Sequence, residues 1–135
     1  MDELNPLRVL VVEDNADTAE TLRSLLADCG FHVAVAHTTQ DGLKTARQLE
    51  PHIALCDIGL PDGDGYSVGS QLRQSVGHAA RLIAVTGHAA PIDRQRALAA
   101  GFQVHLAKPV DPGELVASVA TLVRRSPRRK QAHRA

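Results

Sequence analysis

The sequence predicts an α/β protein with a doubly wound parallel sheet of five strands and five helices. Short apolar runs without polar alternation read as strands buried on both faces, and segments of helical period alternate with them five times over. The polar residues Glu13, Asp14, Asp57, Thr86 and Lys108 all fall at the carboxyl ends of such runs. In such a sheet these positions share one rim, where ligands bind beyond the carboxyl ends of the strands.

The first strand begins at Arg8 and reaches the acids at Asp14. Ala16, Ala19, Leu22, Leu25 and Leu26 then recur at helical spacing, and Gly30 supplies a stop. His32–His37 is the second strand. The pair Thr38-Thr39 caps a helix in which Leu43, Ala46 and Leu49 share a face, and Pro51 ends it. The third strand is Ile53–Ile58, followed by the turn-rich stretch Gly59–Gly65 and a helix through Leu72. Leu82–Thr86 is the fourth strand, residues 92–100 a short Ala-rich helix, and Val104–Lys108 the fifth strand. The last helix, 112–124, places Leu115, Val116, Val119, Leu122 and Val123 on one side.

At 135 residues the chain has room for one domain with a real core. No apolar run approaches the roughly 18 residues of a membrane span, and the acidic start Met1-Asp2-Glu3 is unlike a secretory signal, so a cytoplasmic protein is expected. Cys29 and Cys56 form no Cys-x-x-Cys pair and read as small core residues. Zero net charge hides an asymmetry. Residues 1–123 carry 9 Lys and Arg against all 15 Asp and Glu, a net of −6, while residues 124–135 carry 6 basic and no acidic residues. The expected organisation is a lead over 1–6, a folded domain over 7–124 and a basic, disordered tail over 125–135. The tail has no aromatic residue to stack on bases, and a solubilising or vestigial role is expected of it rather than nucleic-acid binding.

Three carboxylates at one rim raise one another's pKa unless positive charge compensates, and a divalent cation and Lys108 are the available sources. Oxygen-only ligands suit Mg2+, which keeps several waters and leaves room for a phosphate. Asp57 can then act as a nucleophile toward a phosphoryl group, with Thr86 positioned to donate a hydrogen bond to one of its oxygens. A purely structural Asp57–Lys108 ion pair leaves Thr86 and the paired acids unexplained.

Taken together, Glu13-Asp14, Asp57, Leu60-Pro61-Asp62-Gly63, Thr86-Gly87 and Lys108-Pro109, each after its strand, resemble the receiver domain of two-component response regulators over about residues 7–124. That resemblance implies a flavodoxin-like strand order, 2-1-3-4-5, and a signalling switch rather than an enzyme. Asp57 would accept phosphate from a phosphohistidine on a histidine kinase or phosphotransfer protein. Asp14 would bind Mg2+ directly, Glu13 through water, and the Gly59 main-chain carbonyl would be a further ligand. Lys108 would contact the acyl phosphate, Thr86 would report its presence, and the Lys108–Pro109 bond would be cis. Partners would read the face of the fourth helix, fifth strand and fifth helix. With no DNA-binding or other effector domain expected after residue 124, output would pass through protein contacts, phosphorelay or use as a phosphate sink. The motifs around Gly59 and Lys108 look like those of receivers attached to hybrid histidine kinases, favouring relay or feedback.

The chain departs from the family pattern at several positions. Many receivers carry Tyr or Phe three residues before the lysine; here His105 stands there, either as a smaller, titratable switch or as a partly exposed strand residue. Gly59 and His88, two positions beyond Asp57 and Thr86, border the path of attacking water. Gly87 is small, which should keep the site open to a donor protein or to acetyl phosphate. The fifth strand lacks the acidic pair of some charged dimer interfaces, so a monomer or weak dimer is expected. His32, His37, His52, His78 and His133 read as surface residues, and Arg94 and Arg96 as a solvated or partner-facing edge. A haloacid-dehalogenase-type phosphatase would need an acid at Gly59, and a dinucleotide-binding domain would need glycines after the first strand, where Glu-Asp-Asn-Ala-Asp stands.

Overall fold

The computed structural model describes residues 6–58, 65–76, 80–87 and 91–124. Strands β1 (Arg8–Val12), β2 (His32–Ala36), β3 (Ile53–Asp57), β4 (Arg81–Thr86) and β5 (Val104–Ala107) form one parallel sheet in the order β2-β1-β3-β4-β5. Helices α1 (Ala16–Asp28), α2 (Thr39–Leu49), α3 (Gly65–Val76), α4 (Pro91–Ala99) and α5 (Pro112–Arg124) follow the strands in turn. The chain leaves β1 toward one edge of the sheet and β3 toward the other, so a crevice opens between their carboxyl ends.

Alternate strand residues feed two cores. On one face Val9, Val11, Leu55, Ile83 and Leu106 pack under Leu22 and Leu26 of α1 and Leu115, Val119 and Leu122 of α5. On the other, Leu10, Val12, Ala54, Cys56, Leu82 and Ala84 meet Ala46 of α2, Leu72 of α3, Ala97 of α4 and Phe102. Burial on both faces explains why the central strands show no polar alternation, and each large aliphatic side chain so buried contributes about 1.5–3 kcal/mol.

Local signals set the helix ends. Asn15 caps α1 by accepting from the Thr18 amide, and Thr38 caps α2 by accepting from the Asp41 amide. Gly30 follows α1 at φ +97°, a conformation glycine takes at no steric cost. At Gly69 the constraint is space rather than φ: a Cβ there would lie 2.4 Å from Cε2 of buried Phe102, so α3 approaches that ring more closely than any larger residue permits.

Two arginines tie down the amino ends of the strands, opposite the crevice. The Arg8 guanidinium donates to the carbonyls of Leu49 and Glu50 at the end of α2, each at 2.8 Å. Arg73 of α3 donates to the carbonyls of Ala80, before β4, and Gly101, before β5. The Arg8 amide donates to Nδ1 of half-buried His52, 2.9 Å away.

The expected elements all form, with shifted ends: α3 runs four residues past Leu72, and Lys108 lies just beyond β5. One core assignment is corrected. Cys56 is buried, but Cys29 is exposed, because α1 stops at Asp28 and the Cys29 amide closes its last turn on Leu26 O. Gly59, His78, His88, His133, the lead to residue 5 and the tail from residue 125 lie outside the described residues. Among the described residues no helix is long and apolar enough to cross a membrane.

Candidate functional site

The carboxyl ends of β1, β3, β4 and β5 bring the predicted polar residues to the crevice. Glu13 and Asp14 follow β1, Asp57 ends β3 in register with Val85, and Thr86 ends β4 in register with Ala107. The Lys108 amide donates to Thr86 O at 2.8 Å, which extends the β4–β5 ladder by one bond and fixes the start of the lysine side chain. The Lys108–Pro109 peptide is cis, as the resemblance implied.

Carboxylate oxygens of Glu13, Asp14 and Asp57 all lie within 4.8 Å of one another. Glu13 and Asp57 are buried, whereas Asp14 is exposed to solvent. The Lys108 ammonium bridges the buried pair, 2.9 Å from Asp57 Oδ2 and 3.0 Å from Glu13 Oε1. The second Glu13 oxygen accepts from the Asn15 amide at 3.1 Å. Both oxygens of Glu13 therefore have protein partners, which accords with a role for this acid behind the ligand shell.

Burial pushes the Glu13 carboxyl above its ordinary value, and the Asp57 charge adds to the effect; the Asn15 amide and Lys108 only partly offset this. For Lys108, burial acts to lower the pKa, but the hydrogen bonds to Asp57 and Glu13 outweigh it and raise the ammonium above its usual range. The same ion pair thus leaves Lys108 firmly charged and Glu13 under strain. The asymmetry follows from solvation, since Glu13 is almost fully enclosed while about a third of the lysine side chain reaches water. Beside Asp57, burial pushes the Cys56 thiol up to about 12, so it stays protonated next to the acids.

If all three acids are ionised, one ammonium leaves the cluster at a formal −2. Compact, oxygen-only donors with that deficit could hold a hard dication such as Mg2+. Gly87 is exposed, and a Cβ there would meet nothing within 4 Å. His105 is half-buried and pairs with Ala84, so it shares with Thr86 the sheet face packed against Ala97 of α4. Arg96 is exposed on α4.

Two residues at the site escaped the sequence reading. Asn15 caps α1 and lends its amide to Glu13; an Asn directly before a helical pattern is a cap signal that could have found it. His37 is exposed as expected, yet its Nδ1 lies 3.0 Å from Glu13 O, a contact that no spacing encodes.

Comparison with known proteins agrees with this geometry. The family model for the response regulator receiver domain matches residues 9–120. The chain is 37% identical over 117 residues to an uncharacterized 14.6 kDa protein in the sodA1 3' region of Leptolyngbya boryana, covering 86% of this chain and 89% of that one. It is 38% identical over 117 residues to the KDP operon transcriptional regulatory protein KdpE of Escherichia coli K12, covering 87% of this chain but 51% of KdpE, about half its length. A crystal structure of a Burkholderia pseudomallei response regulator with a phosphorylated aspartic acid, calcium ion and citrate superposes with a TM-score of 0.77 at 29% identity, covering 82% of this chain and 65% of that one.

Proposed function

The chain belongs to the response regulator receiver domain family, and on that premise we propose that Asp57 is its phosphoacceptor, supplied by a phosphohistidine of a histidine kinase or phosphotransfer protein. Phosphorylation and Mg2+ binding are general for the family. The observation that carries the proposal for this chain is the Lys108 ammonium spanning Asp57 and Glu13 within a cluster of three carboxylates at the strand ends. The Burkholderia pseudomallei relative, solved with a phosphorylated aspartic acid and a calcium ion, supports the same reading.

In the proposed reaction an Asp57 carboxylate oxygen forms a bond to phosphorus as the donor's N–P bond breaks. The departing imidazole keeps the electron pair and takes a proton from solvent. Asp57 and Asp14 would hold Mg2+ directly and Glu13 through water, with the Gly59 carbonyl as a further ligand. Bound there, Mg2+ supplies positive charge to the phosphoryl oxygens. Lys108, already charged and bonded to Asp57, is placed to pair with the transferred group, and the Thr86 hydroxyl to donate to it. The water that later cleaves the acyl phosphate would pass Gly59 and His88.

Thr86 drawn toward the phosphoryl group, with His105 on the same sheet face, would bias the α4-β5-α5 surface between two states for a protein partner. We place this switch in the cytoplasm, acting as a monomer or weak dimer and not as an enzyme in its own right. Phosphotransfer from purified histidine kinases and phosphotransfer proteins is expected to label the wild type and not Asp57→Asn; label retained by Asp57→Asn refutes the assignment. In the same preparations His105→Ala is expected to weaken the spectral response of residues 104–107 to phosphorylation. An unchanged response removes His105 from the switch.

A further inference from the structure

We infer that His37 is a positioning residue for the acidic pair Glu13-Asp14, a step that rests on the cation-binding reading of the site given above. The β1–β2 pairing runs in register from Arg8↔His32 to Val12↔Ala36. One further rung follows, in which the Glu13 amide donates to Ala36 O at 2.9 Å. In a parallel ladder the next bond, to the carbonyl of Glu13, would come from the main-chain amide of Thr38. The chain turns away there instead, because Thr38 is the N-cap of α2, at φ −133° and ψ 161°, with its side chain accepting from Asp41 N.

A side chain takes the vacant place. His37 Nδ1 lies 3.0 Å from Glu13 O, and since a carbonyl only accepts, Nδ1 is the donor in this contact. That carbonyl belongs to the peptide joining Glu13 to Asp14, on which two of the three clustered carboxylates hang. With its amide on Ala36 and its carbonyl on His37, Glu13 is pinned at both main-chain groups from the β2 side. Asn15 braces the turn from the α1 side, giving its amide to Glu13 Oε2 while its side chain caps the helix. Without the imidazole, Glu13 keeps its amide on Ala36 and its side chain on Asn15, but the carbonyl of the Glu13–Asp14 peptide loses its bond to the β2 side, and the carboxylates are less ordered before the cation binds.

His37 is exposed, so its removal opens no cavity in either core. That separates a positioning role from a structural one. Mg2+ titration calorimetry at pH 7.5 on the full chain, comparing wild type, His37→Ala, His37→Asn and Asp14→Asn, tests the inference. His37→Ala is expected to weaken Mg2+ binding about tenfold, the lower end of the range seen for groups that orient metal ligands. The urea midpoint in EDTA should not move. His37→Asn, which keeps a short side chain with an N–H donor, is expected to recover most of the affinity. Wild-type affinity in His37→Ala overturns the inference, as does an equal loss in the Ala and Asn variants. If the wild type binds Mg2+, Asp14→Asn does not, and His37→Ala matches the wild type, only the role of His37 falls. A wild type that binds no Mg2+ brings down the site reading and this inference together.

Discussion

Replacing Lys108 with Met removes the ammonium from between Asp57 and Glu13, which it contacts at 2.9 and 3.0 Å, and leaves the acids with comparable apolar bulk beside them. The gross attraction lost is large, about 5–6 kcal/mol for each contact at an effective dielectric constant near 20. The protein need not bear that cost in full, because one acid can take up a proton on folding. Glu13 is the one to do so, since burial already holds its pKa above the ordinary 4.5. Neutralising a carboxyl of ordinary pKa costs about 1.4 kcal/mol per pH unit, so relief through Glu13 costs about 3 kcal/mol at pH 7 and about 1 kcal/mol at pH 5. The sign follows from linkage: a carboxyl whose folded pKa is raised binds more protons in the folded state, so stability is lost as pH rises above 4.5 and regained as it falls. Urea unfolding of wild type and Lys108→Met in EDTA, at pH 5, 6 and 7, should show a deficit that narrows with acidification. A deficit constant across that range would mean that lost packing, not uncompensated charge, is the cause; no deficit at pH 7 would refute the electrostatic account altogether.

Two further predictions concern the cores. Gly69→Ala should destabilise the fold by about 1–2 kcal/mol in urea unfolding, because overpacking against Phe102 exceeds the roughly 1 kcal/mol that alanine gains in a helix; a stabilised variant would show that α3 can shift. For the thiols, 5,5'-dithiobis(2-nitrobenzoate) at pH 8 should count Cys29 alone in the native protein and both cysteines in denaturant, since the buried Cys56 thiol has its pKa pushed up to about 12. Two fast-reacting native thiols would contradict the burial of β3.

Much of the fold was legible because a parallel sheet covered on both faces writes its strands as unbroken apolar runs. Polar residues gather where those runs stop, with His105 of β5 an exception inside a strand. Glu13, Asp14, Asp57, Thr86 and Lys108 were found by that rule, and the structure gathers them at one crevice. What was not legible depends on contacts between segments distant in sequence. His37 looks like any exposed histidine until β2 is laid beside β1. Gly69 looks like a weak point in a helix until Phe102, 33 residues on, fills the space it leaves. Cys29 misled because its residue type favours burial; its exposure is decided by where α1 ends, and helix ends are the least determined feature of a periodic pattern.

The arginine ties at the amino ends of the strands bear on where this molecule can move. Arg8 anchors the first strand to the end of α2, and Arg73 binds together the entries to β4 and β5, all through main-chain carbonyls rather than exchangeable acid partners. The displacement of Thr86 proposed above would therefore start from a β4 whose opposite end is tied down. In the proposed switch, movement would then be taken up at the crevice end of β4 and β5, where Thr86 and Lys108 stand, and not as a sliding of whole strands.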